Sequence, residues 1–83
     1  MNGEYYYRVS MTNDYLTVMT TISLVLDEYT GNCSPEAYRQ AIIEADAVIE
    51  DDLGQKLSKR ANDITVTLLL DNEEITLEEN VYA

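Results

Sequence analysis

Carboxylates are the most numerous side chains in this sequence that could do chemistry. Sixteen Asp and Glu residues stand against five Lys and Arg, which gives a net charge of −11. Such groups can bind a metal ion, transfer protons or present negative charge to a basic partner. The chain has no histidine and one cysteine, Cys33, so imidazole chemistry is excluded and a cysteine nucleophile has no partner base. The arrangement of the acids therefore decides what the protein can do.

The spacing of the acids supports neither a metal site nor an active site. Residues 71–79 superficially resemble a calcium loop, but they lack the glycine and the alternating ligand positions that such a loop requires. The three glycines of the chain form no phosphate-binding loop. We therefore expect no metal, no cofactor and no enzymatic activity.

The acids fall into three separate groups along the chain. One acidic helix face is usually a solvated surface, but three groups of one sign are unusual, because a soluble surface normally mixes its charges. We predict that these carboxylates bind a basic partner. They are Asp27 and Glu28; Glu44, Asp46, Glu50, Asp51 and Asp52; and Asp71, Glu73, Glu74, Glu78 and Glu79.

Residues 34–53 predict an amphipathic helix. Ser34 can cap the first turn, Pro35 suits the first helical position, and Gly54 is a typical stop. Acids along the polar side occur about once per 4 Å of helix, close to the spacing of roughly 3.4 Å between phosphates on one DNA strand. Ile43 and Ala47 lie among them and could contact a partner. The predicted apolar stripe is Tyr38, Ala41, Ile42, Ala45, Val48, Ile49 and Leu53.

The remaining segments predict strands. Residues 4–12 and 63–70 alternate apolar and polar side chains, and residues 75–77 form a short returning strand. Residues 15–28 fit a strand or a helix, and their many β-branched side chains favour a strand in a tight hairpin with the first. The predicted fold is α+β: a small antiparallel sheet in the order ββαββ, with one amphipathic helix packed on one face.

The length of the chain, 83 residues, predicts a single domain with a thin core, which self-association would help to stabilise. An open sheet face or an exposed strand edge would then form the contact of a homodimer. No segment is typical of a signal peptide or a membrane span, so we expect a cytoplasmic protein. The negative charge predicts that the protein binds neither nucleic acid nor anionic membrane directly.

In size, acid groups and paired hairpins around one helix, the chain resembles the small acidic DNA-mimic proteins encoded by phages. Among these it is most similar to the phage inhibitors of the bacterial nucleoid protein HU. The resemblance implies a dimer in the host cytoplasm, with rows of carboxylates laid out like phosphates. It also implies that these rows bind the DNA-binding surface of a basic, HU-like host protein and displace DNA.

Two other functions are compatible with the same residues. The same electrostatics would suit an inhibitor of a nuclease or of an antiphage defence complex. Alternatively, the charge would only keep a structural or adaptor subunit soluble. A mimic must present its acids coherently, whereas a merely soluble protein can scatter them, so the placement of the acids separates these functions.

Overall fold

The computed structural model describes residues 3–27 and 29–77, which form a four-stranded antiparallel sheet and one long helix. The strands lie in the order β2-β1-β3-β4, and the predicted α+β fold is confirmed. In chain order the elements are β1 (Gly3–Thr12), β2 (Thr17–Leu26), α1 (Pro35–Leu53), a 3-10 turn (Ser58–Arg60), β3 (Asp63–Leu69) and β4 (Glu74–Leu77).

The ambiguous segment 15–28 contains a strand, as its β-branched residues predicted. β2 pairs with β1 in an unbroken register that begins at Thr12 opposite Thr17. The hairpin is closed by Asn13, whose side-chain oxygen accepts hydrogen bonds from the amides of Tyr15 and Leu16 at 2.8 and 3.0 Å. The two amides of the turn therefore bond to this side chain instead of to a backbone carbonyl.

The core lies between α1 and one face of the sheet. Tyr7, Val9 and Met11 of β1 are fully buried there, as their alternation predicted. α1 presents small residues, Ala37, Ala41 and Ala45, which are also fully buried and allow the helix to approach the sheet closely. The predicted ends of α1 are confirmed. Ser34 Oγ accepts from the amide of Ala37 at 3.1 Å, and Gly54 adopts the left-handed conformation with φ 77°.

The apolar stripe of α1 is partly different from the predicted one. Val48 and Leu53 are 40% and 46% exposed, whereas Asp46 is only 9% exposed. Asp46 is turned inward because its carboxylate accepts hydrogen bonds from both the amide and the hydroxyl of Ser58. The segment after α1 therefore folds back along the helix and places Leu57, which is almost fully buried, in the core.

The last predicted residue of the third strand also lies elsewhere. Leu70 was predicted to be the last residue of the strand 63–70, but β3 ends at Leu69 and Leu70 is exposed. Its amide donates to the carbonyl of Glu73 at 2.9 Å, so Leu70 belongs to the turn that joins β3 to β4.

Tyr7 connects the sheet to the loop that precedes α1. Its hydroxyl donates to the carbonyl of Asn32 at 2.6 Å. Burial raises the pKa of Tyr7 from 10.0 to about 12, with smaller contributions from Cys33 and Tyr5. The fold therefore favours the protonated hydroxyl, which is the form that donates this hydrogen bond.

Replacing Tyr7 with Phe should lower the free energy of unfolding by about 1 kcal/mol, because the hydrogen bond to Asn32 is lost. Since the pKa of Tyr7 is higher in the folded state, its stabilising effect is complete below pH 10.0 and is lost as the pH rises to about 12. Urea unfolding at a series of alkaline pH values should show the two proteins converging over this range. An equal difference at every pH would contradict the assignment.

Candidate functional site

The sheet topology collects acids from different parts of the sequence at one end of the sheet. β1 begins at this end, β2 and β3 finish there, and β4 starts there, because Gly3 pairs with Leu26, Tyr6 with Leu69, and Leu69 with Glu74. Four strands at about 4.8 Å spacing span roughly 14 Å. We call this surface the acidic end; its members are Glu4, Asp27, Asp71, Glu73 and Glu74, all exposed.

Asp27 is held in place by the turn that follows β2. Its Oδ1 accepts from the hydroxyl and the amide of Thr30, both at 2.8 Å, and from the amide of Tyr29 at 3.0 Å. These bonds, the Thr30 hydroxyl first, lower the pKa of Asp27 below its usual value. The carboxylate is therefore fixed and charged, but one of its oxygens is already occupied.

Glu74 is partly neutralised by the one basic residue of β1. Arg8 Nη2 lies 2.7 Å from Glu74 Oε1 and Nη1 lies 3.3 Å from Oε2, so the pair is bidentate. The pair bridges β3 on the open face, since Arg8 is opposite Thr67 and Glu74 is opposite Leu69. Hydrogen bonding to Arg8 lowers the pKa of Glu74. Glu74 therefore contributes less negative charge to a partner than Asp71 or Glu73.

The acids of α1 do not form a single row. Glu44 and Asp51 are seven residues apart and share one side of the helix, whereas Glu50 points about 100° away from Asp51. All three are exposed, and so is Asp52 at the helix end. They flank the exposed side on which Ile43 and Ala47 lie, so a partner on this helix would meet acids on both sides of an apolar strip.

Asp46 lies apart from the other acids of the predicted surface. Its carboxylate is buried and bonded to Ser58, with 3.2 Å between Asp46 Oδ1 and the amide nitrogen of Ser58. This corrects the prediction that Asp46 presents its charge to a partner. Its role is structural: it fixes the segment of residues 55–60, which carries Lys56, Lys59 and Arg60.

This basic segment lies at the end of the sheet opposite the acidic end. Gln55, Leu57 and Arg60 line one depression together with the turn between β1 and β2. The C-terminal acids of α1 directly precede the segment in sequence, so charges of both signs occur at this end. Charge is therefore distributed unevenly along the sheet, with acids at one end and charges of both signs at the other.

Three predicted acids, Glu28, Glu78 and Glu79, lie outside the described residues. Within residues 3–27 and 29–77, no group of three or more Cys, Asp or Glu side chains is arranged to hold a metal ion. The described part of the chain also contains no helix long and apolar enough to cross a membrane.

Two residues of this region were missed by sequence reasoning: Glu4, a member of the acidic end, and Arg8, the basic residue that pairs with Glu74. Glu4 was assigned only to a strand, and Arg8 only to the polar face of the same strand. The signal that would have found them is the pairing of β1 with both β2 and β3, which places Glu4 opposite Val25 and Arg8 opposite Thr67.

An apolar depression lies on the side of α1 that faces β3. It has a volume of about 440 Å³ and is lined by Tyr38, Arg39, Ile42 and Ile43. Ile43 is 59% exposed, as its place among the helix acids predicted. A second depression beside it shares Tyr38 and Ile42 and extends to Ile64 at the start of β3.

Comparison of the chain with protein families, characterised proteins and solved structures gave no match.

Proposed function

We propose that this protein is a DNA mimic that inhibits a basic, HU-like DNA-binding protein of its host. The acidic end would occupy the DNA-binding surface of the target in the host cytoplasm and displace DNA. The observation that carries this proposal is the convergence of acids onto one end of the sheet: Glu4 in β1, Asp27 after β2, and Asp71 and Glu73 in the turn between β3 and β4.

A coherent acidic surface is what a phosphate mimic requires. Carboxylates spread over about 14 Å give several lysine and arginine side chains simultaneous partners, as a phosphate backbone does. The turns also hold these acids: Asp27 is bonded to its own loop, and Asp71 and Glu73 belong to the turn that Leu70 and Glu73 close. Such preorganisation lowers the entropic cost of binding.

The separation of charge also favours oriented encounter. The basic segment with Lys56, Lys59 and Arg60 lies at the opposite end of the sheet, so it does not weaken the field of the acidic end. A basic target would be attracted to one end of the molecule over long range and at a rate that falls steeply with salt.

We expect this protein to release DNA from a basic nucleoid protein of the HU type. Fluorescence anisotropy of a labelled duplex bound to that protein should fall as this chain is added at low salt. The chain alone should leave the anisotropy of free DNA unchanged, because its net charge repels phosphate. Direct binding of this chain to DNA, or no release of DNA at any salt concentration, would contradict the proposal.

The adaptor function has one observation in its favour, the apolar depression at Tyr38, Ile42 and Ile43. A partner that inserts an apolar side chain there would be retained at high salt, because apolar burial does not weaken with screening. Capture from a bacterial lysate followed by a salt gradient therefore separates the two functions. The proposed HU-like target should elute early in the gradient. If the captured protein is instead identified as a nuclease or a component of a defence complex, the same acids serve that alternative target.

A further inference from the structure

The outer edge of β2 is the longest stretch of strand that has a neighbour on one side only. β2 lies at the border of the sheet with β1 as its one described neighbour, and it is ten residues long. An edge of this kind presents unpaired backbone N–H and C=O groups to any strand that can approach.

The hairpin geometry identifies which backbone groups point outward. The amide of Asn13 donates to the carbonyl of Leu16, so alternate pairs from this one onward exchange hydrogen bonds between β1 and β2. Every second residue of β2 therefore turns its N–H and C=O away from β1. These residues are Thr17, Met19, Thr21, Ser23 and Val25, and the side chains of all five are exposed.

This edge lacks the features with which proteins normally protect an edge strand. Such edges are usually short, bulged, charged or interrupted by proline. β2 has no charged residue and no proline, and its register with β1 is unbroken. The opposite edge carries a charged side chain, since β4 begins with the ion-paired Glu74. On the β2 edge, by contrast, the apolar side chains of Met19 and Val25 are 60% and 67% exposed.

Charge selects a second copy of this chain as the occupant. Two molecules of net charge −11 repel each other unless they meet through a neutral surface. β2 is the strand without an ionisable side chain; β1 contains Glu4 and Arg8, β3 contains Asp63 and β4 contains Glu74. Antiparallel pairing of an edge with itself also follows a two-fold axis, the symmetry that most dimers adopt.

We propose that β2 pairs antiparallel with β2 of a second copy, about a two-fold axis perpendicular to the sheet at Thr21. In this register Thr21 lies opposite its own equivalent, and Met19 of each copy lies opposite Ser23 of the other. The two sheets become one sheet of eight strands with both helices on the same face. This interface does not depend on the DNA-mimic function.

The arrangement keeps the acidic ends of the two copies apart. Because the paired strands are antiparallel, the two acidic ends point in opposite directions, separated by the length of a ten-residue strand, roughly 33 Å. That distance exceeds the screening length of about 8 Å at physiological salt. The dimer therefore presents two independent acidic ends, each able to receive a basic partner.

The test replaces an outward backbone donor. In Thr21→Pro the missing N–H is one that points away from β1, so the hairpin keeps its own hydrogen bonds while the dimer loses its central pair. Sedimentation equilibrium of the chain alone should show a wild-type dimer at concentrations on the order of tens of micromolar. The Thr21→Pro protein should sediment as a monomer at the same concentrations.

The matched control is Thr76→Pro on the other edge of the sheet. The amide of Leu70 donates to the carbonyl of Glu73, so alternate pairs from this one onward exchange hydrogen bonds between β3 and β4, and the N–H of Thr76 points outward. This variant should remain a dimer, and circular dichroism confirms that each variant is folded. If Thr21→Pro fails to fold, Thr21→Lys replaces it, since two lysines directly opposite one another at the axis repel. A wild-type monomer, a folded Thr21 variant that stays dimeric, or equal losses in both proline variants would overturn the interface. Because no DNA or target is present, such a failure is distinct from a failure of DNA release.

Discussion

Neutralising three carboxylates of the acidic end should weaken binding to the basic target by roughly 10- to 100-fold at low salt. The end variant combines Glu4→Gln, Asp71→Asn and Glu73→Gln. One exposed ion pair contributes little, but three lost together remove much of the attraction that a phosphate mimic needs. Glu74 is left unchanged because its removal would release Arg8, and Asp27 is left because it holds its own turn.

The matched control is a helix variant that removes the same number of charges at other positions, with Glu44→Gln, Glu50→Gln and Asp51→Asn. These acids lie on two sides of α1 rather than on one surface, so we expect a smaller loss of affinity. The helix itself should become slightly more stable, since two of the three acids lie close to its C-terminus, where the dipole disfavours them.

The measurement is a titration of both variants against the basic target at several salt concentrations, with circular dichroism to establish folding. The end variant should bind more weakly and show a flatter dependence of affinity on salt. Equal effects of the two variants would mean that net charge alone drives binding. Unchanged affinity in a folded end variant would mean that these carboxylates are only a solvated surface.

The local elements of this protein could be predicted because each is determined by nearby residues. Alternation from Tyr5 to Met11 defines β1, and Ser34, Pro35 and Gly54 define the ends of α1 without reference to the rest of the chain. The segment that forms β2 was ambiguous because its apolar residues suit both periods. Its β-branched residues favoured the strand, and pairing with β1 is the tertiary contact that stabilises it.

The acidic end could not be predicted, because it depends on which strands are neighbours. Two hairpins were evident from the sequence, but a sheet in which β3 lies beside β1 is one of several ways to join them. In this order β2 and β3 run in the same direction, so Asp27 and Asp71, which follow them, lie at the same end of the sheet. The described acids of the three groups thus divide into the acidic end, an exposed set on α1, and the buried Asp46.

The burial of Asp46 could not be predicted from the sequence either. A carboxylate between apolar residues is normally assigned to the solvent side of a helix, because burial without a partner is costly. The partner of Asp46 is Ser58, twelve residues later and beyond the end of α1. No helical periodicity contains that information, so the predicted stripe was displaced toward Val48 and Leu53.

Replacing Asp46 with Ala should therefore destabilise the fold more than any substitution of an exposed acid. The change removes the acceptor of both Ser58 hydrogen bonds, and bonds to a charged group contribute about 1.5–3 kcal/mol. We expect the free energy of unfolding to fall by about 2–3 kcal/mol. Leu57 adjoins Ser58 and is almost fully buried, so a displaced segment would also loosen the core.

Urea unfolding measures this loss, and Glu44→Ala provides the control. Glu44 lies on the same helix but is exposed, and substitutions at such sites usually change stability by no more than about 0.5 kcal/mol. A double-mutant cycle with Ser58→Ala should show that the two side chains are coupled, because both variants remove the hydrogen bond that the Ser58 hydroxyl donates to the Asp46 carboxylate. Equal effects of Asp46→Ala and Glu44→Ala would contradict the buried position of Asp46.

The same variant separates structure from binding. Under conditions in which the Asp46→Ala protein is folded, its affinity for the basic target should match that of the wild type, because a carboxylate bonded to Ser58 cannot also bind a lysine or arginine of a partner. The end variant should show the opposite pattern, with stability retained and affinity lost. If a folded Asp46→Ala protein binds the target more weakly than the wild type, then Asp46 contributes to binding and its role is not only structural.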